Sequence, residues 1–144
     1  MDLTQKFEIA CRYIKSQLVI DSPFDTGNLA LNSIRIVQDK GLFRILIGGE
    51  IAPYAIFTNE KWNSSKQNPN EGWIEKSIEK SKPMVIRIMQ GSITEDELED
   101  VLNNQQLRMD IRMQKRNEKL GDKEEILKRK LKGAERSLWR LNKN

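Results

Sequence analysis

Residues 25–54 read DTGNLALNSIRIVQDKGLFRILIGGEIAPY, and the rest of the chain is organised around them. Asp25-Thr26-Gly27 is a turn: Asp or Thr can accept a hydrogen bond from the amides that follow, and Gly tolerates positive φ. Residues 28–32 read as a short helical turn. Residues 33–38 and 42–48 read as two strands, rich in β-branched and large apolar side chains. Asp39-Lys40-Gly41 between them fits a three-residue hairpin loop with Gly in the left-handed region. Alternation places Ile34 and Ile36 on one face with Phe43, Ile45 and Ile47. Arg35, Val37, Leu42, Arg44 and Leu46 make the other face. That face is only partly polar, so it asks for cover by a helix or a neighbouring subunit. Gly48-Gly49 permits a bend. Residues 51–58 (IAPYAIFT) form a third apolar stretch. Pro53 cannot donate to a ladder, so this stretch is expected as an edge strand onto which a partner can add.

Upstream, residues 3–19 read as an amphipathic helix. Leu3, Phe7, Cys11, Ile14 and Leu18 recur at intervals of three and four, with Ala10 beside them and Lys6, Arg12 and Lys15 across. Cys11 lies on the apolar stripe and reads as a small core residue. Downstream, residues 59–72 (NEKWNSSKQNPNEG) read as a long, mobile loop with one large apolar residue, Trp62. That ring is expected either to fold back or to meet a neighbouring chain. Trp73 opens a helix to about residue 89 and reads as core. Pro83 either interrupts this helix or starts a second one.

Gly91 marks a boundary. Thr94 with Glu97 makes a capping-box pattern, and Leu98, Leu102, Gln105 and Met109 follow at helical spacing. Gly121-Asp122 is expected to stop this helix, and Asp122 with Glu125 to restart one. In the last helix Leu127, Leu131, Ala134, Leu138 and Leu141 keep a 4-3-4-3 spacing. That spacing fits a short heptad seam or a stripe packed on another surface of an assembly. Trp139 reads as an anchor in an interface or core. The expected organisation is α+β: an N-terminal helix and a later helix on a small antiparallel sheet, in a domain of residues 1–90. A charged helical extension follows at 91–144.

The totals bound the chemistry. The 144 residues contain one cysteine and no histidine, so an internal disulfide, a structural zinc site and His-based acid–base catalysis have no residues to use. A lone cysteine fits a reducing compartment. The mean hydropathy is −0.65, no apolar run is long enough to cross a bilayer, and the charged N-terminus does not read as a signal peptide. Asp25, Asp39, Glu50 and Glu60-Lys61 could be forced into a nuclease-like set, but turns already account for Asp25 and Asp39. There is no phosphate-binding loop motif. The reading is a non-enzymatic chain without a cofactor or a metal.

Charge is unevenly spread. Residues 1–90 carry twelve basic and ten acidic side chains, residues 92–104 five acids and no base, and residues 105–144 thirteen bases and six acids. Arg112, Lys115, Arg116, Arg129, Lys132, Arg136 and Arg140 are therefore candidate contacts to DNA or an acidic partner. The plainer reading is a solvated helix face with ion pairs such as Glu124–Lys128 and Glu125–Arg129.

The order of these features resembles the tail-completion, or head–tail joining, proteins of long-tailed bacteriophages, often called minor capsid proteins. The motifs are DTGNLALNSI at 25–34, the hairpin, PYAIFTNEKW at 53–62 and NPNEGWIEKSIEK at 68–80. The match covers about residues 1–85. It implies that Asp25, Thr26, Gly27 and Leu29 form the structural turn, that Pro53, Tyr54 and Ala55 form the third strand, and that the helix opened by Trp73 closes the domain. It further implies a homo-oligomeric ring, six-fold or twelve-fold, in the neck of the virion, assembled in the bacterial host cytoplasm. The ring would lie between portal-side (connector) and tail-tube-side proteins, with DNA passing through its lumen. Trp62, Leu127, Leu131, Leu138, Trp139 and Leu141 are then the candidate subunit or partner contacts. The alternative is a DNA-binding accessory protein that uses the basic C-terminal helices. Thr58-Asn59-Glu60 departs from the acidic position that often follows the Tyr-Ala stretch, and residues 91–144 have no counterpart in compact family members.

Overall fold

The first helix, α1 (Leu3–Asp21), starts where Asp2 and Gln5 satisfy each other. The Asp2 carboxylate accepts the Gln5 N–H at 2.8 Å, and the Gln5 side-chain carbonyl accepts the Asp2 N–H at 3.0 Å. This is a capping box that joins two of the amides a helix start leaves without partners. The helix ends at Ser22, whose N–H donates to Leu18 O and whose hydroxyl donates to Val19 O. A computed structural model describes residues 1–23, 33–49, 53–62 and 66–143, with backbone alone at 138 and 140–143. The turn expected at Asp25, Thr26, Gly27 and Leu29 lies outside the described residues.

Strands β1 (Ile34–Asp39) and β2 (Leu42–Ile47) form an antiparallel hairpin, with Ile34 opposite Ile47 and Ile36 opposite Ile45. The two faces are those the alternation requires. The loop is shorter than expected. Asp39 pairs with Leu42, which leaves only Lys40 (φ 50°) and Gly41 (φ 79°) to turn the chain. Two consecutive positive φ values match the two-residue turn whose twist suits a hairpin. Gly48 and Gly49, also at positive φ, then bend the chain away.

The expected third strand is a helix. Pro53 and Tyr54 form a turn, and α2 (Ala55–Asn59) follows. Pro suits a helix start, where its missing N–H leaves no gap. Ala55, Thr58 and Asn59 turn inward at helical spacing while Ile56 and Phe57 turn outward, so the period is not two. The sheet among the described residues therefore has two strands.

Helix α3 (Trp73–Gln90) runs through Pro83, which lies on its exposed side, where the carbonyl left without a helix partner can meet water. At its end the Gly91 N–H donates to Ile88 O and the Ser92 N–H to Arg87 O, with Gly91 left-handed. This pattern closes a helix with a glycine and turns the chain. Helix α4 (Glu95–Lys143) follows. Its start is half a capping box: the Glu97 N–H donates to Thr94 Oγ1, but the Glu97 carboxylate pairs with Arg87 at 2.8 Å. The stop expected at Gly121-Asp122 does not occur, and helix continues through the restart expected at Asp122 and Glu125.

Two apolar clusters hold these elements. Leu18, Val19, Ile34, Ala55 and Trp73 make one, at the hairpin end of α1. Ala10, Ile88, Ile93 and Leu98 make the other, nearer the α1 start. Leu3 and Phe7 are exposed, so the buried stripe of α1 begins at Ala10 rather than Leu3. Small side chains line part of the α1–α3 packing: Ser77 and Ser81 are fully buried, and Ser81 Oγ donates to Ser77 O at 3.0 Å. The chain divides into two compact units, Met1–Met109 and Asp110–Asn144. The first ends later than the expected residue 90, because Ile93, Leu98, Leu102 and Met109 pack back into its clusters. Gln105 joins them, its side-chain amide donating to Tyr13 O at 3.1 Å.

Candidate assembly surfaces

Helix α2 and the following loop form a platform tied by side-chain amides. Asn68 is buried, and its Nδ2 donates to Thr58 O at 2.8 Å and to Glu60 O at 2.7 Å. Asn68 Oδ1 accepts the Asn70 N–H at 3.0 Å, the turn geometry an Asn readily makes two residues on. Trp73 is also buried, and its indole N–H donates to Thr58 Oγ1, whose hydroxyl donates to Ala55 O. Asn59 Oδ1 accepts the Ile74 N–H at 2.9 Å, and Asn59 Nδ2 donates to Glu75. Asn59 thus caps α3 from outside it, where Gly72, the residue at the cap, has no side chain to do so.

The described parts of the loop are therefore fixed at several points, although sequence alone reads them as mobile. Trp62 folds back: its ring stacks on Phe57 with centroids 5.2 Å apart and planes 16° apart, and its N–H donates to Phe57 O. The outer side of this platform is apolar. Ile56 is 66% exposed and Phe57 57%, with Tyr54 exposed beside them. The outer face of the hairpin is similar, with Val37, Leu42 and Leu46 exposed between Arg35 and Arg44. Neither outer strand edge pairs with another strand among the described residues.

Hollows among the described residues of the first unit include a cleft and a groove. A 570 Å³ cleft lies between α1 and the distal inner face of the hairpin, lined by Arg12, Lys15, Glu8, Ile36 and Phe43 among others. A 340 Å³ groove lies between the N-terminal end of the chain and the first turns of α4. Met1, Ile9, Leu98 and Leu102 give it apolar walls, and Glu95 and Glu99 stand beside them. Sequence reasoning missed this groove. Its trace is the acidic run at 95–100 interrupted by Leu98, which reads as a capped helix start until Ile9 is placed opposite.

The second unit is a single helix with two stripes. Leu127 is 64% exposed, Leu131 61% and Trp139 62%. By helical spacing, Met113, Leu120, Leu127, Leu131 and Ala134 share one side. Trp139 falls away from them, in a shallow hollow with Lys132, Glu135 and Arg136. The side chains of Leu138, Arg140 and Leu141 lie outside the described residues. Lys115, Arg129, Lys132 and Arg136 fall on an arc about 100° wide, opposite the leucines. Arg129 lies 3.6 Å from Glu125, the expected i,i+4 pair. Arg112 and Arg116 lie nearer the leucine stripe and are partly buried.

Chemistry at these sites is limited. No cluster of three metal-ligating side chains occurs among the described residues, of which Asp25 and Glu50 are not part. Burial pushes the Cys11 thiol above its ordinary range, so the reactive thiolate is disfavoured. Burial raises the Tyr13 phenol too, partly opposed by Arg108. No helix among the described residues is long and apolar enough to cross a membrane. Comparison with protein-family models, with curated proteins and with solved structures finds no match to this chain.

Proposed function

We propose that this chain is a structural protein that assembles with copies of itself, and that the assembly is the ring joining head to tail in a long-tailed bacteriophage. The observation that carries self-assembly is the α2 platform. Side-chain amides tie down α2 while Ile56 and Phe57 face outward beside Trp62, and large apolar groups exposed together at a surface gain free energy by meeting a partner. The hairpin edges, which pair with no other strand among the described residues, and their half-apolar outer face support the same reading. The order of the motifs DTGNLALNSI, PYAIFTNEKW and NPNEGWIEKSIEK supports the placement in the neck, although the second of them opens a helix here. The C-terminal helix serves as the grip on another component of the assembly.

Light scattering on the purified chain tests self-assembly, and a single monomeric mass at every concentration would count against it. Imaging of particles made without the chain tests the placement: heads without joined tails are expected, and complete tailed particles would contradict it. A second reading, contact with DNA, is favoured by the arc of exposed Lys115, Lys132 and Arg136. It predicts binding to duplex DNA that weakens steeply with salt and is lost without residues 105–144.

A further inference from the structure

The C-terminal helix has an apolar stripe whose neighbours are not random. On one side of Leu120, Leu127 and Leu131, helical spacing places Arg116, Lys123 and Lys130, with no acid among them. The stripe therefore fits a surface that is apolar along its floor and acidic along one edge. Pairing two such helices antiparallel would bring these basic flanks together, and a parallel pair would set Lys123 toward Lys128 and Glu124 toward its own copy in the seam, gaining only Lys130 toward Glu135, which disfavours a simple two-tail coiled coil. DNA satisfies the charges but offers nothing to the leucines.

The groove at the start of α4 has the complementary pattern. Ile9, Leu98 and Leu102 line it, Glu95 and Glu99 rise beside them, and no base occurs between residues 92 and 104. Glu95 and Glu99 are one helical turn apart and exposed, and neither shares the Arg87 pair made by Glu97. We propose that this groove receives the C-terminal helix of a second copy of the chain, with the leucine stripe on its floor and Lys123 and Lys130 at its acidic edge. This is a helix laid into an apolar groove, with charge setting its orientation. Each copy carries one groove and one helix, so the contact is head-to-tail, and such contacts close into rings when the rotation between copies allows. The inference rests on the self-assembly reading above and names one contact that builds it.

Charge exchange in the full-length chain tests it. K123E/K130E and E95K/E99K are each expected to weaken assembly by about tenfold or more, because each brings like charges together. A one-to-one mixture of the two is expected to restore it, since each reversed helix then meets a reversed groove. Circular dichroism melts establish that both variants fold. If one does not, K123Q/K130Q and E95Q/E99Q replace them, and combining these is expected to weaken assembly by less than the product of the separate effects. Folded variants that assemble normally, a mixture that stays dissociated, or neutral pairs whose effects simply multiply would overturn the contact while leaving self-assembly standing. A wild-type chain that is monomeric at all concentrations would instead remove the self-assembly reading, and this contact with it.

Discussion

Residues 73–90 and residues 110–143 are both helix, and they are helical for different reasons. Helix α3 buries Trp73, Ser77, Ser81 and Ile88 along one side. Its ends are fixed by Asn59 at the start and by the Gly91 turn at the finish. The C-terminal helix exposes Leu127, Leu131 and Trp139, and it runs through Gly121 and Gly133, where an added Cβ would meet nothing within 4 Å among the described residues. Its helicity comes from the composition of the segment, rich in Lys, Arg, Glu and Leu. Short isolated helices are marginal in water, length adds to their stability, and most helical stability in proteins comes from packing an apolar face. One helix is completed within its own fold, and the other leaves large apolar side chains exposed among the described residues.

Substitutions should act very differently on the two helices. The largest effect is expected at Trp73→Ala, which empties a core position and removes the donor to Thr58 Oγ1: about 3–5 kcal/mol lost from the first unit in denaturant unfolding. Asn68→Ala removes the amide that serves two carbonyls, and about 1–3 kcal/mol is expected. It should also make residues 59–72 more susceptible to protease. Gly91→Ala forces a side chain into the left-handed region and should cost about 1–2 kcal/mol. Gly121→Ala is the opposite case. It should favour the C-terminal helix by about 1 kcal/mol, read as increased helical ellipticity, and leave the melting of the first unit unchanged. A matched loss at Gly121 would mean that this helix is as tightly packed as α3.

The smallest effect concerns Cys11. Its thiol is held protonated by burial in the folded chain, so the native state keeps a proton that the unfolded state gives up as pH rises. The stability it contributes is fully present below the ordinary thiol range and declines above it. Comparing alkaline unfolding of the wild-type chain with Cys11→Ala should show a slightly flatter pH dependence in the variant. Alkylation at neutral pH should be slower in the folded chain than in urea.

Most of the body could be read from residue patterns. Alternation in β1 and β2 assigned both faces of the hairpin, because a period of two leaves each side chain one choice. Leu98, Leu102, Gln105 and Met109 were legible as a run at helical spacing, but not as part of the first unit, which they join only through contacts with residues far away in the chain. Pro53 misled, since a residue that cannot join a ladder is equally at home before a helix, and Ala55, Thr58 and Asn59 decide the matter only once Trp73 is in place. Gly121 misled because a glycine costs a helix only about 1 kcal/mol relative to Ala, which neighbouring helix formers can absorb. The roles of Asn59 and Asn68 depend on partners eight to sixteen residues away, and no local pattern marks them. The acid-edged groove is hidden for the same reason, with Ile9 and Leu98 far apart in the chain.

The cap that Asn59 places on α3 makes the Ile74 amide an unusual reporter. In an ordinary helix the second amide exchanges with solvent whenever the first turn frays. Here it is shielded by a side chain from another helix, so its hydrogen exchange should follow the opening of α2 and the platform as a unit. A partner that seats on Ile56 and Phe57 would slow exchange at Ile74 without touching it.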